Sequence, residues 1–252
     1  MWRRLWWRLR WRFTSRPFWV RLGNGLPVRI PHGGGALFIY YAGWSEPDLA
    51  AFLERRVEPG HVVLDIGAHI GEFTLLAAAR GATVHAFEPD PANATLLRAN
   101  VVRNDFQSRV TVHEYAVSDH EGEMRFLAHH NPSLSALWTE QHAAGPASTV
   151  RVRVRRLDSI ELSRVDVIKI DTEGAELAVL RGAARLLATF SPIVVFEFSP
   201  AQYARFDTTP RQVLDELSRH GFRVTDLAGE PFETWPDDLV WTNLVASKTP
   251  IS

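Results

Sequence analysis

Two carboxylates and a glycine turn lie at a spacing that is typical of a nucleotide pocket. An apolar run contains Asp65 and leads directly into Gly67 and Gly71. After a segment with helical periodicity, a second apolar run ends at Glu88. The pattern predicts a β-α-β unit, in which glycines let the backbone approach a ligand and the second acid accepts hydrogen bonds from ribose hydroxyls.

The glycine turn favours one class of cofactor. Dinucleotide sites use a G-x-G-x-x-G turn, because a pyrophosphate sits at the helix N-terminus. Here Ala68 and His69 stand between the two glycines, and the preceding carboxylate of Asp65 would repel a pyrophosphate. The same carboxylate suits a ligand with an ammonium or sulfonium group, such as S-adenosylmethionine. An NAD-linked oxidoreductase on this unit and a plain strand-turn-helix without a ligand are the alternatives.

A second block of acidic residues follows about a hundred residues downstream. It is the segment KIDTEGAE at residues 169–176, with VLRG shortly after it. Together with DIGAHIG at residues 65–71, this order of motifs resembles the FkbM family of S-adenosylmethionine-dependent methyltransferases. The resemblance covers roughly residues 45–200. It departs from the family pattern at His69 and Thr172, where the family usually has Asn and Val.

Strand and helix patterns alternate along the chain, which predicts a parallel α/β sheet with ligands at the carboxyl ends of its strands. The resemblance further implies a doubly wound, mostly parallel sheet of seven strands, Rossmann-like, with the last strand antiparallel. It also implies that the segment after the third strand binds the adenine edge. The predicted cofactor-binding residues are Asp65, Gly67, Ala68, His69, Gly71, Glu88, Pro89, Ala116, Val117, Ser118 and Asp171.

Three carboxylates are predicted to lie near the position of methyl transfer. Asp171 and Glu173 follow the fourth strand, and Glu197 interrupts the apolar fifth strand. Methyl transfer from a sulfonium is an in-line displacement, which gains from positioning and, for an alcohol acceptor, from a general base. Asp171 or Glu173 would remove the acceptor proton or hold the cofactor ammonium, with helix capping as the alternative role. Lys169 is the candidate partner of Glu197, and no metal ion is expected.

An insert at about residues 129–149 is predicted to be a lid over the acceptor. It is polar, and loops of this length in compact domains are often functional. Its candidate substrate contacts are His129, His130, Ser133 and Ser135, although a lone histidine is more often a surface residue. Strands predicted at 122–128 and 150–156 would pair across the insert.

Residues 1–22 form a basic arm that is rich in tryptophan and contains no acid. Helical spacing places one set of apolar side chains on a common face: Trp2, Leu5, Trp6, Leu9 and Phe13. A basic amphipathic helix of this kind is typical of a membrane interface. A helix packed on its own domain or on a second subunit is the alternative.

The remaining residues, 23–252, are predicted to form the methyltransferase domain. Strands at 27–30 and 36–41 would form a hairpin around the glycines at 33–35, and a helix capped by Ser45 would run to about residue 57. The core is expected at residues 60–247.

The composition of the chain argues for one domain and against several kinds of partner and site. The chain has 252 residues, 46% of them hydrophobic, which fits one α/β domain. A net charge of −1 argues against nucleic acid as a partner of the whole protein, and the absence of cysteine excludes disulfides and thiolate zinc sites. No apolar run approaches the roughly 20 residues that span a bilayer. A cytoplasmic location is expected, with peripheral contact at the inner face of the membrane left open.

The resemblance implies an S-adenosylmethionine-dependent O-methyltransferase that acts on a hydroxyl of a small molecule. A sugar of a glycan or glycolipid, or a secondary metabolite, is the acceptor class that the family suggests. A non-catalytic interaction module tethered to membrane by the arm is a further alternative.

Overall fold

A computed structural model of the chain describes residues 16–128, 136–137 and 148–251, together with residues 7, 10, 12 and 14. In chain order, the strands are β1 (Phe18–Arg21), β2 (Pro27–Ile30), β3 (Val62–Ile66), β4 (Thr83–Phe87), β5 (Val110–His113), β6 (Ala116–Val117), β7 (Gly122–Ala128), β8 (Ala136–Leu137), β9 (Ser148–Arg155), β10 (Val167–Ile170), β11 (Ile193–Phe198), β12 (Arg223–Asp226) and β13 (Thr242–Ser247). The helices are α1 (Gly34–Ala42), α2 (Pro47–Arg56), α3 (Glu72–Ala79), α4 (Pro91–Arg103), α5 (Glu176–Gly182), α6 (Ala184–Phe190), α7 (Pro200–Tyr203) and α8 (Pro210–Arg219).

The central sheet has seven strands in the order β12-β13-β11-β10-β3-β4-β5. Neighbouring strands from β11 to β5 are parallel, whereas β13 runs antiparallel to both β11 and β12. The chain leaves β3 towards β4 on one side and later returns to β10 on the other side. A crevice therefore opens between β3 and β10, where ligands bind in doubly wound sheets. The predicted fold class is confirmed.

Helices cover both faces of this sheet. Val63 and Leu64 are neighbours on β3, yet they belong to different hydrophobic clusters, because successive strand residues point to opposite faces. One cluster includes Phe52 of α2 and Leu97 of α4. The other includes Leu180 of α5, with residues of α6 and α8. Burial on both faces explains why β10 and β11 are almost continuously apolar.

A smaller sheet with the order β6-β9-β7-β8 stands beside the main one. β7 and β9 pair antiparallel from Gly122↔Val154 to Ala128↔Ser148, so the predicted pairing across the insert is confirmed. The sequence predicts the third strand over residues 110–116, which is too long. It ends at His113 in the main sheet, because Ala116 and Val117 pair with β9 in the smaller sheet.

The N-terminal region differs from the prediction at residues 36–41, which are helical rather than extended. β2 pairs with β1 instead, so the hairpin spans residues 18–30. Ala36 and Ile39 are buried on one face of α1, and Gly43 ends the helix in a left-handed conformation. A run of aromatic and β-branched residues favours a strand. Here the buried residues are three positions apart, which stabilises a helix instead.

Trp7 links the arm to the rest of the protein. Its side chain is only 8% exposed, and its ring centroid lies 5.2 Å from that of Tyr40 and 6.0 Å from that of Phe18. The apolar face predicted from Trp2, Leu5, Trp6, Leu9 and Phe13 lies outside the described residues. Within the described part of the chain, no helix has the length and apolar character needed to cross a bilayer.

Candidate active site

A cavity of about 440 Å³ opens where β3, β4, β10 and β11 end. Many of the residues predicted from the sequence line it. They are Gly67, His69, Glu88, Pro89, Ala116, Val117, Asp171, Glu173 and Glu197. Four others, Asp65, Ala68, Gly71 and Ser118, do not line this cavity. The lid candidates His129, His130, Ser133 and Ser135 lie outside the described residues.

The glycine turn after β3 allows close packing between protein segments. Gly67 has a φ of 76°, and a Cβ there would lie 1.8 Å from the carbonyl oxygen of Asp171. Gly71 has a φ of 90°, and its Cβ would meet Leu97 of α4 at 2.2 Å. His69 also adopts a left-handed conformation, with a φ of 51°. The two glycines therefore bring the ends of β3 and β10 together and seat α3 against α4.

Lys169 joins the two sequence motifs beneath the cavity. Its Nζ lies 3.4 Å from Asp65 Oδ1 and 3.3 Å from Asp171 Oδ2, and it donates to the carbonyl oxygen of Gly67 at 3.0 Å. Asp65 also accepts a hydrogen bond from Thr74 Oγ1 at 2.6 Å. Burial alone would lower the pKa of Lys169, but the charges of Asp171 and Asp65 outweigh burial and raise it.

The predicted pairing of Lys169 with Glu197 is therefore wrong. Lys169 stands directly opposite Asp65 in the register of β10 and β3. Glu197 lies beyond the end of that register on β11, where Phe196 pairs with Ile170. Sheet order and register, which the sequence alone does not give, determine this partner.

Glu88 is fixed at the end of β4 by two backbone donors. Its Oε2 accepts from the N–H of His69 at 2.7 Å, and its Oε1 accepts from the N–H of Asp90 at 2.9 Å. Burial raises the pKa of Glu88 to about 7. A carboxylate can accept more hydrogen bonds than these two, so Glu88 retains capacity for a ligand. Nearby in the wall, Asn93 is buried and its Oδ1 has no hydrogen-bond partner.

Glu173 and Glu197 form the acidic end of the cavity. Glu173 has a left-handed backbone with a φ of 57°, and its Oε2 accepts from Gln202 Nε2 at 2.5 Å. Burial raises the pKa of Glu173, and the charge of Asp171 raises it further. Burial and the charge of Asp171 likewise raise the pKa of Glu197. Its Oε2 is buried without a hydrogen-bond partner.

Two further carboxylates, Glu46 and Glu72, line the cavity and were not predicted from the sequence. Ser45, which was expected to cap α2, instead donates its N–H and its hydroxyl to the two oxygens of Glu72, each at 2.6 Å. Glu46 takes the N-cap position and accepts from Asn243 Nδ2. Burial raises the pKa of Glu72 to about 7. No local pattern marks these residues, because their placement depends on how the N-terminal segment docks.

His69 faces the cavity as an uncharged side chain. Burial lowers its pKa to about 4, against the opposite effect of Asp171. Its Nε2 is buried without a hydrogen-bond partner. Among the described residues, no group of three His, Cys, Asp or Glu side chains is arranged to hold a metal ion.

The match to known proteins agrees with this geometry. A model of the methyltransferase FkbM domain matches residues 65–224, which include both acidic motifs. The chain belongs to the FkbM methyltransferase family. S-adenosylmethionine is the cofactor of this family's fold. The acidic wall suits the ammonium and sulfonium groups of this cofactor, and the unpartnered Asn93 Oδ1 leaves a polar group for a ligand to satisfy.

Two curated relatives illustrate the family. The 31-O-demethyl-FK506 methyltransferase FkbM of Streptomyces tacrolimicus is 40% identical over 119 residues, which are 46% of this chain and 44% of the relative. The hexuronic acid methyltransferase AglP of Haloferax volcanii is 28% identical over 154 residues, which are 60% of this chain and 62% of the relative. The matched regions thus span less than two thirds of either relative.

A solved structure supports the same fold. A Streptococcus mutans protein described as a methyltransferase, solved in complex with SAH, superposes with a TM-score of 0.50 at 10% identity. The superposition covers 80% of this chain and 96% of that one. At this level of identity the likeness concerns the fold alone.

Proposed function

We propose that this protein transfers the methyl group of S-adenosylmethionine to a hydroxyl group of a small-molecule acceptor. One observation carries the proposal. A single cavity at the switch point of the sheet combines the glycine turn, the fixed carboxylate of Glu88 and a group of buried acids. The first two features suit a nucleoside, and the third suits the positively charged methionine end of the donor.

The cofactor is proposed to lie along the ends of β3 and β4. Glu88 would accept hydrogen bonds from the ribose hydroxyls, with Pro89, Ala116 and Val117 beside the adenine. Asp171 would face the ammonium group. Asp65, Ala68, Gly71 and Ser118 would contribute by holding the turn and the strand ends in place. When bound, S-adenosylmethionine supplies the electrophilic methyl group.

Glu173 is our proposed general base. Asp171 already pairs with Lys169, which stabilises its charged form and makes it a poorer proton acceptor. Glu173 has no such cation within salt-bridge distance in the described structure, and its pKa is raised by burial and by Asp171. A base is most effective when its pKa is near the working pH. Glu197 remains a second candidate at the same end of the cavity.

Calorimetric titration tests the cofactor proposal without knowledge of the acceptor. S-adenosylmethionine and S-adenosylhomocysteine are expected to bind saturably to the full chain, and NAD is expected not to bind. Binding of NAD alone would favour the oxidoreductase alternative. Binding of none of the three would contradict the proposed function.

Glu173→Gln tests the assignment of the base. Loss of a general base lowers turnover by roughly 10²- to 10⁴-fold, whereas the affinity for S-adenosylhomocysteine should stay within about twofold, because the amide preserves the shape of the side chain. Glu161→Gln, at an exposed position, is the control. Equal rates for Glu173→Gln and the parent protein would remove Glu173 from the catalytic residues. The measurement is radiolabel transfer to an acceptor found by screening sugars and glycolipids.

The acceptor class is proposed from the relatives. The name 31-O-demethyl-FK506 methyltransferase supports O-methylation of a secondary metabolite, and the name hexuronic acid methyltransferase supports a sugar as the acceptor class. A glycan or glycolipid is the acceptor that we would screen first.

Peripheral membrane contact at the cytoplasmic face is a second proposal, which rests on the basic, tryptophan-rich arm. Trp7 contacts the hairpin and α1, which favours packing of the arm on its own domain at this residue. Flotation with anionic liposomes should carry the full chain but not a variant lacking residues 1–20. Equal flotation of both proteins would contradict membrane contact through the arm.

A further inference from the structure

Two large aromatic side chains stand exposed at the cavity. Phe38 of α1 is 61% exposed, and Trp241, just before β13, is 48% exposed. Both line the cavity, although they are separated by about two hundred residues in the sequence. Exposed apolar side chains that line a pocket often mark a binding site, and aromatic rings offer flat faces for a ligand.

Two carboxylates in the wall of this cavity lie next to the strand that follows Trp241. Glu46 accepts a hydrogen bond from Asn243, which lies two residues after Trp241. Glu197 stands opposite Asn243 in the register of β11 and β13. This wall therefore lies on the β11 and β13 side of the crevice, whereas Glu88 lies on the β4 side. Both sides belong to one cavity, and the β4 side is the part that suits the nucleoside.

The ionisable side chains that line the cavity are acids, apart from His69. No lysine or arginine appears among its described lining residues. The carboxylic acids that line it are Glu46, Glu72, Glu88, Asp171, Glu173 and Glu197. Lys169 lies behind the wall and already pairs with Asp65 and Asp171. Burial and the charge of Asp171 already raise the pKa values of Glu46 and Glu197, so a carboxylate on the acceptor would add negative charge where negative charge is unfavourable.

We propose that Phe38, Trp241, Glu46 and Glu197 form an acceptor subsite that takes an uncharged, hydroxylated ring and discriminates against uronic acids. This inference rests on the proposed function and narrows its substrate class. The aromatic faces would pack on the C–H face of the ring. The carboxyl oxygens would accept hydrogen bonds from its hydroxyls, and one hydroxyl would satisfy the buried, unpartnered Oε2 of Glu197.

Matched ligands test the charge selection. Methyl glucoside, methyl glucuronide and methyl glucuronamide differ at one carbon, and the galacto and manno series provide the same comparison. Each is titrated calorimetrically into the full chain saturated with S-adenosylhomocysteine. In at least one series, the neutral glycoside and the amide should bind tenfold or more tightly than the uronate. Equal or tighter binding of the uronate would overturn the proposal. Binding of no neutral glycoside in any series would also overturn it.

The same titration separates this inference from the proposed function. If S-adenosylhomocysteine itself does not bind, the proposed function fails, and the subsite inference fails with it. If S-adenosylhomocysteine binds but the sugars follow the opposite charge preference, only the subsite inference fails.

Substitutions locate the subsite. Trp241→Ala and Phe38→Ala should each weaken binding of the neutral glycoside tenfold or more and leave the affinity for S-adenosylhomocysteine within twofold. Trp19→Ala is the matched control, because Trp19 is 44% exposed but does not line the cavity. Glu46→Gln should improve binding of the uronate relative to the glycoside. Unchanged glycoside binding in both aromatic variants, with normal thermal unfolding, would place the acceptor elsewhere.

Discussion

Lys169 is a buried cation on which the geometry of both acidic motifs depends. Its ammonium group lies between the carboxylates of Asp65 and Asp171 and contacts the carbonyl oxygen of Gly67. Breaking a buried ion pair by removing one partner is strongly destabilising, because it leaves an uncompensated charge in the interior. Lys169 therefore holds Asp171 at the cavity while Asp65 remains behind it.

Lys169→Met should accordingly reduce the free energy of unfolding by about 3–5 kcal/mol. Lys248→Met is the matched control, because Lys248 is exposed and its described contact is with the face of the Phe222 ring. It should change stability by no more than about 1 kcal/mol. Urea denaturation of both variants checks this expectation. A small effect at Lys169 would show that the carboxylates find other partners.

Glu88→Gln should weaken binding of S-adenosylmethionine. Hydrogen bonds to a charged acceptor contribute about 1.5–3 kcal/mol, which corresponds to roughly 10- to 100-fold in Kd. The variant retains one acceptor oxygen for the turn, so thermal unfolding reports separately on its structural role. Glu58→Gln, at an exposed position, is the control for calorimetry. An unchanged Kd for Glu88→Gln would contradict the ribose assignment.

At the scale of elements, two strands and two helices pack closely around the turn after β3. A side chain in place of its glycines would displace atoms of these neighbours. Gly67 and Gly60 have similar backbone conformations, with φ values of 76° and 84°. A Cβ at Gly67 would meet Asp171, whereas a Cβ at Gly60 would meet nothing within 4 Å. Alanine substitutions at these two glycines therefore separate the cost of backbone strain from the cost of steric overlap.

Gly60→Ala should lower stability by about 1–2 kcal/mol, the cost of a left-handed conformation for a residue with a Cβ. Gly67→Ala should lower the stability by about 1–3 kcal/mol more than Gly60→Ala does, because the ends of β3 and β10 must move apart. It should also abolish cofactor binding. Denaturant melts and calorimetry provide the measurements. Equal destabilisation by both substitutions would show that the turn relaxes without affecting β10.

At the scale of the whole molecule, several buried carboxylic acids couple folding to pH. Burial raises the pKa values of Glu72, Glu88 and Glu176 to about 7 from an ordinary value of 4.5. In the interval between those values the folded chain binds more protons than the unfolded chain. The contribution of these groups to stability is therefore complete below about pH 4.5 and is lost as the pH rises through 7.

The ligand-free protein should consequently lose stability between pH 5 and pH 8, by about 1–3 kcal/mol for each of these carboxyl groups. Glu72→Gln should make this decline shallower, even if the variant is less stable at every pH because one bond to Ser45 is weakened. Urea denaturation at several pH values provides the slope. Equal slopes for Glu72→Gln and the parent protein would contradict the raised pKa of Glu72.

Local sequence was sufficient for the strands of the main sheet and for much of the pocket. Apolar runs that end in an acid or a glycine predicted β3, β4, β10 and β11, because buried parallel strands must be apolar and parallel strands present their carboxyl ends at one edge. For the same reason the sequence predicts Asp65, Glu88, Asp171 and Glu197 at one edge, and all of these except Asp65 line the cavity. The prediction of a strand at residues 36–41 was wrong, because short apolar runs have no decisive periodicity.

The sequence by itself thus determined the fold class, the two motifs and the acids at the strand ends, since these depend on residue type and short-range spacing. Only the tertiary structure decided which acids are paired and what completes the cavity. The register of β10 and β3 places Lys169 opposite Asp65, and the same ammonium group also pairs with Asp171. Docking of distant segments brings Glu46 and Trp241 to the same cavity. Contacts between distant segments depend on strand order and packing, which no local pattern encodes.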